Sequence, residues 1–265
     1  NMIACVTSSP SLLILEYCSN GDLLRFMRNR MQTMRTIGID YPSGITKKQQ
    51  IQFALEIASG LEYLSQRGYV HRDLAARNVL VDRYETCKIG DFGLCRRIGD
   101  VDVNYQARGG GMPIKWMSPE AINGHSFSTA SDMFAFILST RFLFIKFTYS
   151  WSFGIVLFEI ITLGGSPYPT WPTPEVIHRL NAGQRMQRPA CCSDNMYTLM
   201  SLCWAYNPVR RPTFSEIRRY LTKELNDVAH DNCYVSIDSR ADYYKDYSDT
   251  IRTRQLGSSV HSSRR

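Results

Sequence analysis

His71-Arg72-Asp73-Leu74-Ala75-Ala76-Arg77-Asn78 is the stretch on which the reading of this chain turns. Thirteen residues after Asn78 comes Asp91-Phe92-Gly93, and further on stands Trp116-Met117-Ser118-Pro119-Glu120. Between the first two blocks, Asn78 to Val81 and Thr86 to Ile89 are short strand-like runs on either side of a polar turn. A hairpin of that kind reverses the chain between Asn78 and Asp91. His-Arg-Asp alone is a weak signal, and two isolated aspartates are ordinary loop formers. Three blocks in this order and at these distances are specific.

Around this centre the chain reads as follows. Leu12-Leu13-Ile14-Leu15 is strand-like, Asn20-Gly21-Asp22 is a turn or helix start, and Leu23 to Met31 is a short amphipathic stretch. Residues 32–45 are polar and read as a loop. Thr46-Lys47-Lys48-Gln49 fits a capping box. Behind it Ile51, Leu55, Ala58, Leu61 and Leu64 recur at helical spacing, with Gly68 placed to end the helix. Residues 91–120 read as an ordered loop, 133–163 are strongly apolar, and amphipathic helices follow from about 174 to 225. No internal repeat is found.

Composition narrows the classes. The 265 residues are 44% apolar and 21% charged, which excludes collagen-like, low-complexity and wholly disordered chains. Lys plus Arg (31) exceeds Asp plus Glu (24) by seven, but the basic residues are scattered, and no nucleic-acid partner is expected. The eight cysteines have no C-x-x-C spacing, so they read as free thiols of a reducing compartment rather than a zinc site. Asn1 to Pro10 has no charged n-region of a signal peptide.

The three blocks resemble the catalytic loop, the magnesium-binding loop and the end of the activation segment of protein kinases. The resemblance covers roughly residues 1–225. It implies an α+β, protein-kinase-like fold, mostly the α-helical C-terminal lobe. Residues 1–17 would be a remnant of the N-terminal β-lobe and hinge, 18–225 the C-lobe, and 226–265 a disordered Tyr/Ser-rich tail. It implies ATP and Mg2+ as cofactors, with Mn2+ as an alternative. Asp73 would accept the substrate hydroxyl proton, with Arg77 and Asn78 beside it in the catalytic loop. Asn78 and Asp91 would ligate the metal, which prefers hard oxygen donors. Leu15, Glu16, Tyr17, Cys18 and Leu80 would contact the nucleotide, Leu15 as gatekeeper at the back of the pocket. Arg72 would bind a phosphorylated activation-segment tyrosine, for which Tyr105 is the candidate. His71 and Phe92 would stack, Glu120 would pair with Arg211, Cys203-Trp204 would pack in the helical core, and Asp132 would anchor the catalytic loop.

Ala75-Ala76-Arg77 and Pro113-Ile114-Lys115-Trp116 resemble the tyrosine-specific branch, and the Lys that Ser/Thr kinases place two residues after the Asp is absent. Thr162-Leu163-Gly164-Gly165-Ser166-Pro167-Tyr168-Pro169 resembles receptor tyrosine kinases. The implied partners are proteins bearing tyrosine, phosphotyrosine-binding adaptors at Tyr234, Tyr243, Tyr244 and Tyr247, and a second receptor copy in a full-length dimer. The implied location is the cytoplasmic face of the plasma membrane, with the cytoplasm as the alternative.

Two departures qualify this. The first Gly is Gly21 and the first Lys is Lys47, both beyond the hinge, so residues 1–15 hold neither the Gly-rich strand-loop nor the strand Lys of a working kinase. The 265 residues alone are therefore expected to transfer no phosphate. A catalytically dead lobe serving as scaffold or decoy is the alternative function. Secondly, the family pattern runs Ser131-Asp132-Met133 directly into Trp151-Ser152-Phe153-Gly154, whereas here 17 residues, Phe134 to Ser150, intervene. Eleven are apolar, which suggests displacement of Asp132 or an exposed patch. A retained intron or gene-model error, a lineage-specific insertion, and a membrane span remain open; the longest uncharged run that reaches into this segment, Phe147 to Phe158, has 12 residues, short for a span.

Overall fold

The computed structural model describes residues 2–9, 11–36, 44–97, 113–124, 149–228, 233–235 and 241–244. Among these, β1 (Met2–Val6) and β2 (Leu12–Leu15) form an antiparallel ladder with Cys5 opposite Leu13. Helix α1 (Leu23–Thr36) follows, then α2 (Lys47–Gln66), β3 (Tyr69–Val70) and the hairpin of β4 (Val79–Val81) with β5 (Cys87–Ile89). β6 (Arg96–Arg97) returns to pair antiparallel with β3. Helices α3 (Pro119–Gly124), α4 (described over 149–161), α5 (Thr173–Asn181), α6 (Asp194–Cys203) and α7 (Phe214–Asp227) complete the helical body. A small strand pair thus precedes a predominantly helical lobe.

The sequence explains these elements locally. Leu23, Met27 and Met31 recur every four residues and are all buried, and the helix they stabilise runs on to Thr36, into the stretch read as loop. Thr46 caps α2, its Oγ1 accepting the Gln49 N–H at 3.1 Å. The box is not closed, because the Gln49 side chain donates to Glu85 in the β4–β5 turn. Gly68 follows the end of α2 with φ +75°, a conformation that favours glycine.

Helix α4 lies at the centre. Trp151, Phe153, Ile155, Val156, Leu157 and Ile160 are wholly buried, and helices this apolar all round must be enclosed by neighbours. Enclosure leaves its C-terminal carbonyls without water, so they need protein donors. Gln50 Nε2 donates to the carbonyls of Ile160 (2.9 Å) and Ile161 (3.1 Å). The Arg28 guanidinium donates twice to the Gly164 carbonyl, at 2.9 and 2.6 Å, and the Tyr244 hydroxyl donates to that of Thr162. A cation at this end also suits the helix dipole.

Of the inserted stretch only Tyr149 and Ser150 are described, and the tail packs at its described residues. Asp132 and residues 134–148 lie outside the described residues. Tyr149 and Ser150, the last two of the intervening 17, are buried and helical at the start of described α4, and Ser150 Oγ donates to the Pro212 carbonyl at 2.6 Å. These two residues form no part of an exposed patch. Within the tail read as disordered, Val235 is buried and its N–H donates to the Ile45 carbonyl at 3.0 Å. The Ser166 N–H donates to the Tyr243 carbonyl at 2.8 Å, the Tyr243 ring packs edge-on against Phe158, and Tyr244 is buried. Aromatic area docks residues 241–244, whereas Val235 and a backbone hydrogen bond dock the stretch before them. As docking sites for adaptors, Tyr243 and Tyr244 are corrected: their rings belong to the packed body, whereas Tyr234 is exposed. Tyr247 lies outside the described residues. Among the described residues no helix is long and apolar enough to cross a membrane.

Gly154 marks the tightest approach in this core. A Cβ there would stand 2.6 Å from Trp204 Nε1 and 2.8 Å from Cys203 Cβ. Both partners are buried at the end of α6 and cannot retreat. Gly154→Ala is expected to destabilise the chain by about 1–3 kcal/mol, measured as a lowered urea midpoint; an unchanged midpoint would show that α4 and α6 separate freely.

Candidate active site

The loop from His71 to Asn78 is fixed from below. Leu74, Ala75 and Ala76 are buried, and small side chains let the backbone lie against α4. The Asn78 N–H closes the turn on the Ala75 carbonyl at 2.9 Å. Asp73 remains partly open, and both its carboxylate oxygens are held. Arg77 Nη2 donates to Oδ1 at 2.6 Å, and Asn78 Nδ2 donates to Oδ2 at 2.9 Å and to the Asp73 carbonyl at 2.7 Å. The two bonds to the carboxylate are charge-assisted, so it has one orientation.

The β4–β5 hairpin brings the second aspartate alongside. The Gly90 N–H donates to the Asn78 carbonyl at 2.8 Å, which sets Asp91 next to Asn78. Asp91 is exposed and left-handed (φ +53°), with Oδ1 accepting the Gly93 N–H at 3.4 Å. Arg72, beside Asp73, is also left-handed (φ +67°). Such conformations cost energy in non-glycine residues and persist where the surroundings enforce them. His71 does much of the enforcing. It is wholly buried, its Nε2–H donates to the Gly90 carbonyl at 2.7 Å, and its Nδ1 accepts the Asp73 N–H at 3.4 Å. These two partners fix the Nε2–H tautomer, and burial removes His71 from any substrate. Its ring meets Phe92 edge-on at 5.3 Å, while Phe92 itself is half exposed.

This donor set suits a hard cation. With Nδ2 committed to Asp73, Asn78 has Oδ1 left to offer, and the Asp91 carboxylate faces out. Magnesium is commonly held by one or two protein oxygens, with phosphate and water completing the shell. Among the described residues no group of three His, Cys, Asp or Glu side chains suits a metal, and a site shared with phosphate needs none.

The sequence reading missed Glu159. This α4 residue is 1% exposed, and its Oε2 accepts the Ala76 N–H at 2.9 Å and the Trp116 indole N–H at 3.1 Å. Arg77 stacks over the Trp116 ring at 4.5 Å, so Asp73, Arg77, Trp116, Glu159 and Ala76 form one connected network. A signal was present: Glu159 is the lone charge between Lys146 and Glu175. Burial pushes its carboxyl up to about 7, against the opposing pull of the Ala76 and Trp116 donors.

The residues expected to contact the nucleotide are placed as follows. Leu15 ends β2 and is exposed, as is Tyr17. Leu80 on β4 is more than a third exposed, and its side chain packs on Gly90. Glu16 is tied down by Lys88, which also reaches Asp82 Oδ2 at 3.1 Å. The Lys88 ammonium holds the Glu16 carboxyl below its usual range. This hinge tether was not foreseen. Cys18 is half-buried, with its carbonyl accepting the Gly21 N–H at 3.2 Å.

The remaining candidates divide. Arg211 is buried, meets Glu120 with both terminal nitrogens, donates from Nε to the Ala205 carbonyl at 2.8 Å, and lies over Trp151. Cys203 and Trp204 are buried in the core. Arg72 Nε donates to the Leu94 carbonyl at 2.8 Å. Tyr105 and Asp132 lie outside the described residues.

The Glu159 carboxyl gives a pH test. Its folded pKa lies above the unfolded value, so the folded state binds the proton more tightly. Stability from this group is full at low pH and is lost as pH rises from about 4.5 through 7. Relative to Glu159→Gln, the unmodified chain should gain roughly 2–3 kcal/mol between pH 8 and pH 5. Urea midpoints of both proteins across that range check this, and a constant difference would contradict it.

Comparison with known proteins agrees with this geometry. The protein tyrosine and serine/threonine kinase family model matches residues 1–141 and 140–221, and the break between its two segments falls within Phe134 to Ser150. A Caenorhabditis elegans protein named as a tyrosine-protein kinase is 36% identical over 246 residues, covering 91% of this chain and 26% of the relative. The tyrosine-protein kinase receptor torso of Bombyx mori is 33% identical over 280 residues, covering 91% of this chain and 32% of the relative. The chain thus spans about a quarter to a third of the length of these relatives. With the family model matched over most of its length and the catalytic loop closed on Asp73, the chain belongs to the protein kinase family.

Proposed function

We propose that this lobe serves a protein tyrosine kinase, transferring the γ-phosphate of ATP to tyrosine hydroxyls of proteins. The observation that carries the reading is the Asp73 carboxylate held at both oxygens by Arg77 and Asn78. Phosphoryl transfer asks an enzyme mainly to position reactants and neutralise charge. A carboxylate in one orientation accepts the acceptor hydroxyl proton and aims its oxygen. Asn78 Oδ1 and the Asp91 carboxylate would hold magnesium, which when bound neutralises phosphate charge. The exposed Leu80 and Leu15 would meet the adenine side of the nucleotide.

Tyrosine specificity rests on Arg77 and Trp116. Arg77, four residues after Asp73, lies over Trp116 in the Pro113–Trp116 segment, and no Lys occupies the place two residues after Asp73. That leaves a wide platform suited to a long aromatic acceptor. The receptor assignment, at the cytoplasmic face of a plasma membrane, is supported by Thr162–Pro169 and by the name of the Bombyx relative. Protein substrates and a receptor dimer belong to the same proposal. So does adaptor docking at Tyr234, which is exposed.

Residues 1–265 expressed alone are expected to transfer no phosphate, since they contain no Gly-rich strand-loop or Lys ahead of the hinge. A form that carries those parts ahead of Met2 should phosphorylate tyrosine peptides and leave serine peptides untouched. In that form Asp73→Asn should lower kcat by roughly 10²–10⁴-fold with little change in the KM for ATP. Serine phosphorylation, or full activity in Asp73→Asn, would contradict the assignment.

A further inference from the structure

Tyr149 is 4% exposed, and its hydroxyl sits on the backbone that enters the catalytic loop. It donates to the Tyr69 carbonyl at 3.0 Å and accepts the His71 N–H. Its ring packs edge-on against Phe214 of α7 at 6.2 Å. Burial pushes the phenol well above its ordinary range, so it keeps its proton and can donate and accept at once. From His71 the constraint passes directly to the site. His71 Nδ1 accepts the Asp73 N–H, His71 Nε2 donates to the Gly90 carbonyl, and Arg72 between them is held left-handed. One hydroxyl on α4 therefore fixes the backbone two residues before Asp73 and, through Gly90, the approach to Asp91.

The register makes this position unusual. Tyr149 stands two residues before Trp151. In a chain without Phe134 to Ser150, Met133 joins Trp151, and Asp132 stands two residues before it. We infer that Tyr149 is the positioning residue of the catalytic loop in this chain, occupying the place that Asp132 takes when residues 134–150 are absent. The segment thus exchanges a carboxylate for a phenol at the start of described α4 without releasing the loop. Its function as a positioning device rests on the kinase reading; its existence as a contact does not, and amide exchange separates the two.

The test is site-resolved amide hydrogen exchange in the 265-residue chain. In Tyr149→Phe the His71 amide should exchange at least tenfold faster, while amides of α6 keep their rates. Unchanged exchange at His71, or equal acceleration at His71 and α6, would overturn the inference. A crossed pair decides the matter if Tyr149→Phe does not fold. Asp132→Ala should leave His71 exchange unchanged in the intact chain and accelerate it at least tenfold in the chain lacking 134–150. Acceleration in the intact chain, or none in the shortened one, contradicts the register exchange. In a form with measurable phosphate transfer, Tyr149→Phe should lower kcat at constant KM for ATP; a matching rise in KM would make the residue merely structural. Amide results that hold without any transfer would fault the kinase reading and leave the contact standing.

Discussion

Glu159 is the one charge that described α4 carries into a core of Trp, Phe, Ile, Val and Leu, and a carboxyl so placed needs donors. They come from the two segments that make up the site: the Ala76 N–H from the catalytic loop and the Trp116 indole from the stretch ahead of Glu120. The solvation demand of a single buried group therefore sets where both segments lie. Arg77 completes the link, stacking on Trp116 and gripping Asp73. The Asp73 carboxylate is thus tied through Arg77 and Trp116 to the buried Glu159, as well as to Asn78 of its own loop.

The same logic governs the ends of α4. The carbonyls at its C-terminal end and in the turn that follows are claimed by Gln50 from α2, Arg28 from α1 and Tyr244 from the tail, three segments far apart in sequence. At its described start, Tyr149 and Ser150 bind the backbone at Tyr69, His71 and Pro212. An enclosed helix thus acts as the frame of the lobe, because the polar groups at its two ends and Glu159 recruit partners from other elements. Left-handed Arg72 and Asp91 are held against this frame.

Much of this was legible in the sequence, for identifiable reasons. The loop, hairpin and Asp-Phe-Gly blocks are local, so spacing alone brings Asp73, Asn78 and Asp91 together. Gly68 and Thr46 mark the ends of α2 through backbone chemistry that short windows contain. What escaped notice depends on contacts distant in sequence. Glu159 looked like one more polar residue in an apolar run, although its isolation there was a signal. Lys88 meeting Glu16 spans 72 residues, and nothing local announces it. The tail looked too poor in aliphatics to pack, yet Tyr243 and Tyr244 dock by ring area and one hydroxyl. The extra segment looked disruptive because it separates Asp132 from Trp151; the tyrosine at its far end holds the backbone at Tyr69 and His71, contacts that span about 80 residues and that no local window contains.

The claim at the centre is that the Glu159 carboxyl joins the catalytic loop to the Trp116 segment. The indole N–H proton of Trp116 reports on it directly, since that proton is donated to the carboxylate. Its NMR shift, followed from pH 5 to 9, should titrate with a midpoint of about 7, the value to which burial raises Glu159. A shift that stays flat across that range, or that persists in Glu159→Gln, would mean that the carboxyl and the indole are not partners, and the account of how this site is held would fail.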